Sequence, residues 1–172
     1  MIYSFYLFVF GVLATAWTAV RMIVARVIYR EHSALEKATQ RICKEWARWI
    51  QSAAGPEVKC IGLEHIQTGQ AYVVVSNHQS ILDLTILIHE LPLKLTAIAK
   101  KELRSIPLFG LASAIFGILF IDRSNRERAI ETLRGAQKLL LQTGKSLIVF
   151  PEGTRTKAVS YTHLTLPTME LV

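Results

Sequence analysis

Cysteine is scarce in this 172-residue chain: only Cys43 and Cys60 are present. Their spacing fits neither a paired metal motif nor a disulfide scaffold, so both read as free thiols that pack, in a reducing compartment. The chain also lacks a Gly-x-Ser-x-Gly elbow, and no motif surrounds either thiol, which argues against an acyl-enzyme nucleophile. His32, His65, His89 and His163 are scattered and suggest no metal cluster. Basic blocks and interleaved aromatics are missing too, so the net charge of +7 does not single out nucleic acid. That charge favours other anionic partners, namely phosphorylated substrates or an acidic lipid surface.

Charge itself is absent from Ile2 to Val20, IYSFYLFVFGVLATAWTAV. As a helix this stretch is roughly 28 Å long, close to the hydrocarbon thickness of a bilayer at about 30 Å. It has no basic start, unlike a secretory signal, and Arg21, Arg26 and Arg30 come after it. Basic residues after the span place its carboxyl-terminal side in the cytoplasm. A spanning or deeply embedded helix is expected. A bent segment lying in the interface is the second reading, and an apolar core helix the third. Next, Leu35, Ala38, Ile42, Trp46 and Ile50 recur at spacings of three and four, with Lys37, Arg41, Lys44 and Arg48 on another side. This predicts an amphipathic helix over Glu31 to Ala54, stopped by Gly55-Pro56. It suits either the membrane interface or packing on its own domain.

Strands and helices then alternate. Strand candidates are 58–61, 71–75, 95–99, 117–121 and 146–150. Turns at 62–65 and 68–70 separate the first two, and His65 there reads as structural or solvated. Helices are expected from Ile81 to Leu91, from Leu108 to Ile115 after Pro107, and from about Asn125 to Gln142. Ser124 with Glu127 reads as the capping box of the last helix, Ile130, Leu133, Ala136 and Leu140 as its stripe, and Gly144 as its stop. The pattern predicts an α/β fold whose sheet is mixed or largely parallel and flanked by helices. In such sheets functional residues gather at the carboxyl ends of strands. His78, Asp83, Arg123, Glu152 and Arg155 all fall just after strand candidates.

The stretch Ser76-Asn77-His78-Gln79-Ser80-Ile81-Leu82-Asp83 carries the chemistry. A His on a turn and a carboxylate in the following helical turn can share a hydrogen bond, leaving the second ring nitrogen free to accept a proton. The same letters also fit a capping box, with Ser80 capping and Asp83 reaching back. A second stretch is Phe150-Pro151-Glu152-Gly153-Thr154-Arg155, and a third is Gly117-Ile118-Leu119-Phe120-Ile121-Asp122-Arg123.

Together these resemble the first, third and second motifs of the glycerolipid acyltransferases. They are most like those of the bacterial 1-acyl-sn-glycerol-3-phosphate acyltransferases of the PlsC type. Lys101-Glu102-Leu103 followed by Pro107 and Gly110 resembles the segment between the first and second motifs. The resemblance implies a membrane-bound enzyme that makes phosphatidic acid from lysophosphatidic acid. It implies His78 as general base and Asp83 as its orienting partner. Arg123 and Arg155 would bind phosphate, Gly153 would let the backbone approach the ligand, and Thr154 belongs to the same binding motif. Glu152 would orient an arginine or bind acceptor hydroxyls; Asn77 would hold the turn or supply a donor. No cofactor is implied, and acyl-CoA or acyl-carrier protein is the co-substrate.

The expected organisation is an anchor helix over 1–29, an amphipathic linker over 30–56, an incomplete acyltransferase domain over 57–157 and a tail over 158–172. The tail, AVSYTHLTLPTMELV, has no periodicity and reads as non-native, with the family's fourth motif missing. The expected location is the bacterial inner membrane, with the domain on the cytoplasmic side. An acyltransferase for another lysolipid or for glycerol 3-phosphate is the near alternative. A non-catalytic interfacial membrane protein is the distant one. A soluble hydrolase ranks behind both, since it needs a nucleophile the chain does not display.

Overall fold

The computed structural model describes residues 2–67 and 69–152. Four parallel strands form one sheet in the order β1-β4-β2-β3. They are β1 (Val73–Val75), β2 (Leu95–Lys100), β3 (Leu119–Ile121) and β4 (Ser146–Val149). The registers pair Val75 with Val149, Ala97 with Ile148 and Lys100 with Ile121. All three pairings are parallel, so the sheet is wholly parallel among the described residues. Helix α3 (Asp83–Glu90) links β1 to β2, α4 (Phe109–Phe116) links β2 to β3, and α5 (Arg126–Thr143) links β3 to β4. Right-handed crossovers put α3 and α4 on one face and α5 on the other. β4 is central and covered on both faces, which is why it reads as an unbroken Leu147-Ile148-Val149 run; Ile148 is fully buried.

Two long helices precede the sheet. α1 (Ile2–Ile28) and α2 (His32–Ala54) form an antiparallel hairpin. Small residues, Ala14, Thr18, Ala19 and Ala25, with Met22, bury one face of α1. Small side chains let the two helix backbones approach closely, and polar contacts fix the register. Tyr3 Oη donates to the carbonyls of Ala53 (3.1 Å) and Ala54 (3.2 Å), and Trp46 Nε1 donates to Thr15 Oγ1 at 3.2 Å. Arg21 pairs with Glu45 at 2.5 Å and lies 5.6 Å above the Trp49 ring. The opposite face of α1 is exposed and apolar, with Phe5, Phe8, Val12, Leu13 and Trp17 all more than half exposed. By length and composition α1 is able to cross a membrane.

α2 docks into the domain. The expected stripe packs on the core, with Ile42 buried and Leu35, Ala38 and Trp46 half-buried, but burial extends beyond it to Glu36, Thr39, Cys43, Ala47 and Gln51. The buried surface is wider than one stripe because α2 packs against both α1 and α3. Its polar residues serve the domain's backbone: Gln40 bonds both the N–H and the carbonyl of Leu95, Lys44 the carbonyl of Leu91, and Gln51 that of Thr85. Burial pushes the Cys43 thiol up to about 12, which makes it a packing group. Gly55, at φ 68°, closes α2 by donating its N–H to Gln51.

The expected strand at 58–61 does not form. Lys59, Cys60 and Ile61 are exposed and pair with no strand among the described residues, and strand propensity without a partner does not fix a strand. The turn at 62–65 is a short 3₁₀ helix, Leu63–His65. A second 3₁₀ turn, Lys101–Ser105, follows β2. It leads to Leu108, at φ 61° and ψ −49°, where Phe109 N–H donates to the Pro107 carbonyl at 2.6 Å. This is a γ-turn with positive φ, a rare and strained conformation. α4 therefore begins at Phe109, two residues after Pro107.

Candidate active site

Every β–α turn of a parallel sheet opens at the same edge, and the chemistry gathers there. β1 ends at Val75, and Ser76 N–H extends its ladder by donating to the Val149 carbonyl at 3.2 Å. The chain then turns, presents His78, and enters α3 at Asp83. Asp83 Oδ2 lies 3.0 Å from His78 Nδ1 and accepts the N–H groups of Gln79 (2.7 Å) and Ser80 (2.8 Å). Capping and histidine orientation are thus not alternatives, because one carboxylate oxygen does both. Ser80 takes part differently from the expected box: its hydroxyl accepts from Leu82 N–H at 3.1 Å.

The electrostatics arise from these contacts. Burial pushes the Asp83 carboxyl up, but the Ser80 N–H, the His78 ring and the Gln79 N–H outweigh it, so the group sits below the ordinary aspartate value. An ionised carboxylate only accepts hydrogen bonds, so Nδ1 of His78 carries the proton that faces it. Nε2 then keeps a lone pair. The two side chains are 24% and 19% exposed, sheltered yet open to a ligand.

The other wall comes from β4, next to β1 in the sheet although far away in sequence. The Phe150 ring stacks on His78, centroids 4.3 Å apart and planes 25° from parallel. Glu152 Oε1 accepts the backbone N–H of His78 at 3.4 Å. Phe150 was legible as the end of a strand and the start of the Phe-Pro-Glu-Gly-Thr-Arg run; its contact with the imidazole depends on the β1–β4 pairing.

Arg123 follows β3 at the far side of the sheet. Three strand spacings separate β1 from β3, roughly 14 Å at about 4.8 Å each. The carboxylate beside it, Asp122, is 8% exposed and anchors a basic network. It accepts from Lys101 Nζ at 2.7 Å and from Ser124 N–H and Oγ at 3.0 and 2.6 Å, with Arg128 Nη1 at 3.6 Å. The Lys101 ammonium, followed by the Ser124 hydroxyl, holds its carboxyl well below the usual carboxylate range. Because Ser124 is committed to Asp122, the expected Ser124–Glu127 capping box does not form. Asn125 caps α5 instead, its side chain accepting from Arg128 N–H at 2.9 Å. A depression of about 390 Å³ beside this network is lined by Lys101, Arg104, Asp122, Arg128 and Glu131, with Phe120 and Thr132. It lies on the β3 side, away from His78. Lys101 and Asp122 are remote in sequence, and the parallel pairing of β2 with β3 brings them together.

Asn77 is exposed, and its backbone carbonyl accepts from Ser76 Oγ at 3.1 Å. Gly153, Thr154 and Arg155 lie outside the described residues, as does the 158–172 tail. Among the described residues no three His, Cys, Asp or Glu side chains gather as metal ligands would. The site therefore joins His78, Asp83, Phe150 and Glu152, and sets Arg123 across the sheet edge from them.

Comparison with known proteins bears on the family and the fold. Residues 57–169 match the family model described as Acyltransferase. The 1-acyl-sn-glycerol-3-phosphate acyltransferase of Saccharomyces cerevisiae is 38% identical over 110 residues, 64% of this chain and 36% of that protein. The human 1-acyl-sn-glycerol-3-phosphate acyltransferase alpha is 43% identical over 106 residues, 62% and 38% of the two chains. The Helicobacter pylori 1-acyl-sn-glycerol-3-phosphate acyltransferase is 39% identical over 106 residues, 62% and 43%. The matched part thus amounts to about two fifths of each relative's length. The crystal structure of the 1-acyl-sn-glycerophosphate acyltransferase PlsC from Thermotoga maritima superposes with a TM-score of 0.74. It is 24% identical, and the match covers 90% of this chain and 61% of that one, a shared fold. With the family model matched across more than half its length, and a paired His and Asp at the carboxyl edge of a parallel sheet, this chain belongs to the acyltransferase family.

Proposed function

We propose that the protein transfers an acyl group from a thioester, acyl-CoA or acyl-carrier protein, to the free hydroxyl of 1-acylglycerol 3-phosphate, giving phosphatidic acid. The observation that carries this reading is the 3.0 Å contact between His78 Nδ1 and Asp83 Oδ2. It fixes the tautomer that leaves Nε2 basic. Nε2 removes the proton from the acceptor hydroxyl as its oxygen attacks the thioester carbonyl. Asp83 supports the imidazolium that results. The tetrahedral intermediate collapses, the carbon–sulfur bond breaks, and the imidazolium returns the proton to the thiolate. No acyl-enzyme is formed, in keeping with a sequence that carries no motif for an activated nucleophile. A positioned base of this kind is worth about 10²–10⁴-fold in rate.

Arg123 and Arg155 bind the acceptor phosphate, where the fork of a guanidinium matches phosphate geometry better than an ammonium does. Glu152 holds the His78 turn through the backbone N–H, which favours a positioning role over binding acceptor hydroxyls. Gly153 would let the backbone approach the phosphate closely, with Thr154 in the same binding motif, and Asn77 supplies a donor at the turn.

The enzyme works at a lipid surface, the cytoplasmic face of a bacterial inner membrane. α1 lies along α2 from Tyr3 to Arg21, and α2 carries Glu36, Lys37, Arg41, Lys44, Glu45 and Arg48. A helix so charged does not enter hydrocarbon cheaply. This favours α1 lying in one leaflet with its exposed apolar face down, over crossing the bilayer. Tyr3 meets the end of α2, and Gln51 of α2 meets Thr85 in the first turns of α3, so the lipid-facing end of α1 stands near the His78 motif.

A panel of acceptors tests the function: 1-acylglycerol 3-phosphate, other lysolipids and glycerol 3-phosphate, each with acyl-CoA and acyl-carrier protein. Preference for a phosphate-free acceptor overturns the assignment. Persistence of transfer in folded, membrane-bound His78→Ala overturns the base assignment and returns the chain to a non-catalytic role.

A further inference from the structure

We propose that the segment from Leu103 to Leu111 is a second membrane contact, separate from α1, whose aliphatic side chains enter the same leaflet and seat the carboxyl edge of the sheet on it. Four large apolar side chains are exposed within nine residues: Leu103 (36%), Ile106 (45%), Leu108 (43%) and Leu111 (51%). Isolated exposed apolar residues are ordinary, but a contiguous group of them marks an interaction surface.

The backbone presents this group rather than letting it fold away. Ser105 Oγ bonds the Glu102 carbonyl, Ile106 N–H bonds Leu103, and Gly110 N–H bonds Ile106 at 2.8 Å. Gly110 is buried so tightly under Arg104 that a Cβ there would run into the Arg104 carbonyl. The strained γ-turn at Leu108 holds an apolar side chain in solvent. Strain and exposure at one residue are costly unless another phase receives the side chain.

The occupant is set by position. α4, which opens at Phe109, packs on α1 through a shared core that includes Met22, Ala25, Ala112 and Phe116. Leu111 of the patch lies on α4 itself, so the patch adjoins the helix whose free face is apolar. It comes directly after β2, at the edge where His78 stands, and Arg104 within it is placed to meet lipid phosphates. A lipid leaflet fits this mixture better than a protein partner does. The inference rests on the reading of α1 as an in-leaflet helix.

Single-cysteine labelling separates the two. In a Cys60→Ser background, Phe8→Cys on α1, Ile106→Cys and Leu141→Cys on the exposed side of α5 each receive an environment-sensitive fluorophore. Cys43 is buried and stays unlabelled. The protein is bound to vesicles of phosphatidylcholine and phosphatidylglycerol, with or without acyl-chain nitroxide lipid. The labels at 8 and 106 are expected to shift to the blue and be quenched, while that at 141 is not. If the label at 106 behaves like that at 141 while the one at 8 is quenched, this inference fails and the α1 reading stands. If both stay in water, both readings fail. A label at 106 that is shielded yet not quenched by nitroxide lipid means that protein covers the patch, which also overturns the inference. As a second readout, Ile106→Asp should lower transfer on vesicles about tenfold, one decade or 1.4 kcal/mol. In detergent micelles, where docking is dispensable, the rate should be near that of the parent; equal loss in both overturns the inference.

Discussion

Asp83 performs two tasks with one oxygen, and two substitutions separate them. Asp83→Ala removes the acceptor of two backbone N–H groups and of the His78 ring. Loss of an N-terminal helix cap costs about 0.5–2 kcal/mol, and hydrogen bonds to a charged group about 1.5–3 kcal/mol each. Asp83 is 19% exposed and water replaces part of the loss, so about 2 kcal/mol in total is expected, at the upper end of a single cap. Asp83→Asn keeps an oxygen for the N–H groups, and its stability should fall by less than about 1 kcal/mol. Its amide carries no charge to support an imidazolium and permits the wrong tautomer. Both variants should therefore lose about 10²–10⁴-fold in kcat, or about 2.7–5.4 kcal/mol of transition-state stabilisation. Thiol release from acyl-CoA measures the first quantity, and thermal unfolding in detergent the second. The expected result is similar activity loss with unequal stability loss. Asp83→Asn retaining more than about a tenth of the parent kcat would refute the claim that the carboxylate charge serves the histidine.

Other consequences stem from the same contacts. Phe150→Ala removes a stacked ring worth about 0.5–1.5 kcal/mol and frees the imidazole to rotate, so kcat should fall about tenfold, whereas Phe150→Tyr retains most of it; steady-state kinetics decide. Ala19→Leu forces a large side chain into the fully buried α1–α2 seam and should cost about 1–3 kcal/mol, read as a drop in Tm of roughly 3–10 °C. The Asp83 carboxyl is held below its ordinary value, so its contribution to stability is complete above about pH 4 and is lost as pH falls through the lower folded value. The Tm gap between the parent and Asp83→Asn should accordingly be widest near neutrality and narrow below about pH 4. Asp122→Asn releases Lys101 and Ser124 together, and should weaken binding of the phosphorylated acceptor more than it lowers kcat; equal effects on phosphorylated and phosphate-free acceptors would count against a phosphate role for this side of the sheet.

Much of this molecule was legible in one dimension. Hydrophobic period, turn residues and apolar strand runs located α3, α4, α5 and all four strands to within two residues. Such elements are specified locally, by caps such as Gly144 and by side-chain spacing. The His78–Asp83 contact was also readable, because five residues across a turn leave little freedom. Failures came where a long-range partner decides. Val58–Ile61 has strand composition but, among the described residues, no neighbour to pair with. Ser124 has the letter of a cap but is taken by Asp122, whose other partner, Lys101, is remote in sequence. The buried faces of α2 depend on both α1 and the domain, and a single helical stripe cannot show two neighbours.

The amino-acid sequence alone thus determined that a histidine and an aspartate stand together on a turn after a strand, and that an apolar helix precedes the domain. Only the tertiary structure decided what faces them. Sheet order put β4 beside β1, and so Phe150 and Glu152 beside His78, while it set Arg123 about three strand spacings away. The physical reason is the parallel sheet itself. Strand order depends on which crossovers bury the most apolar surface over the whole chain, a global sum that no local stretch of residues contains.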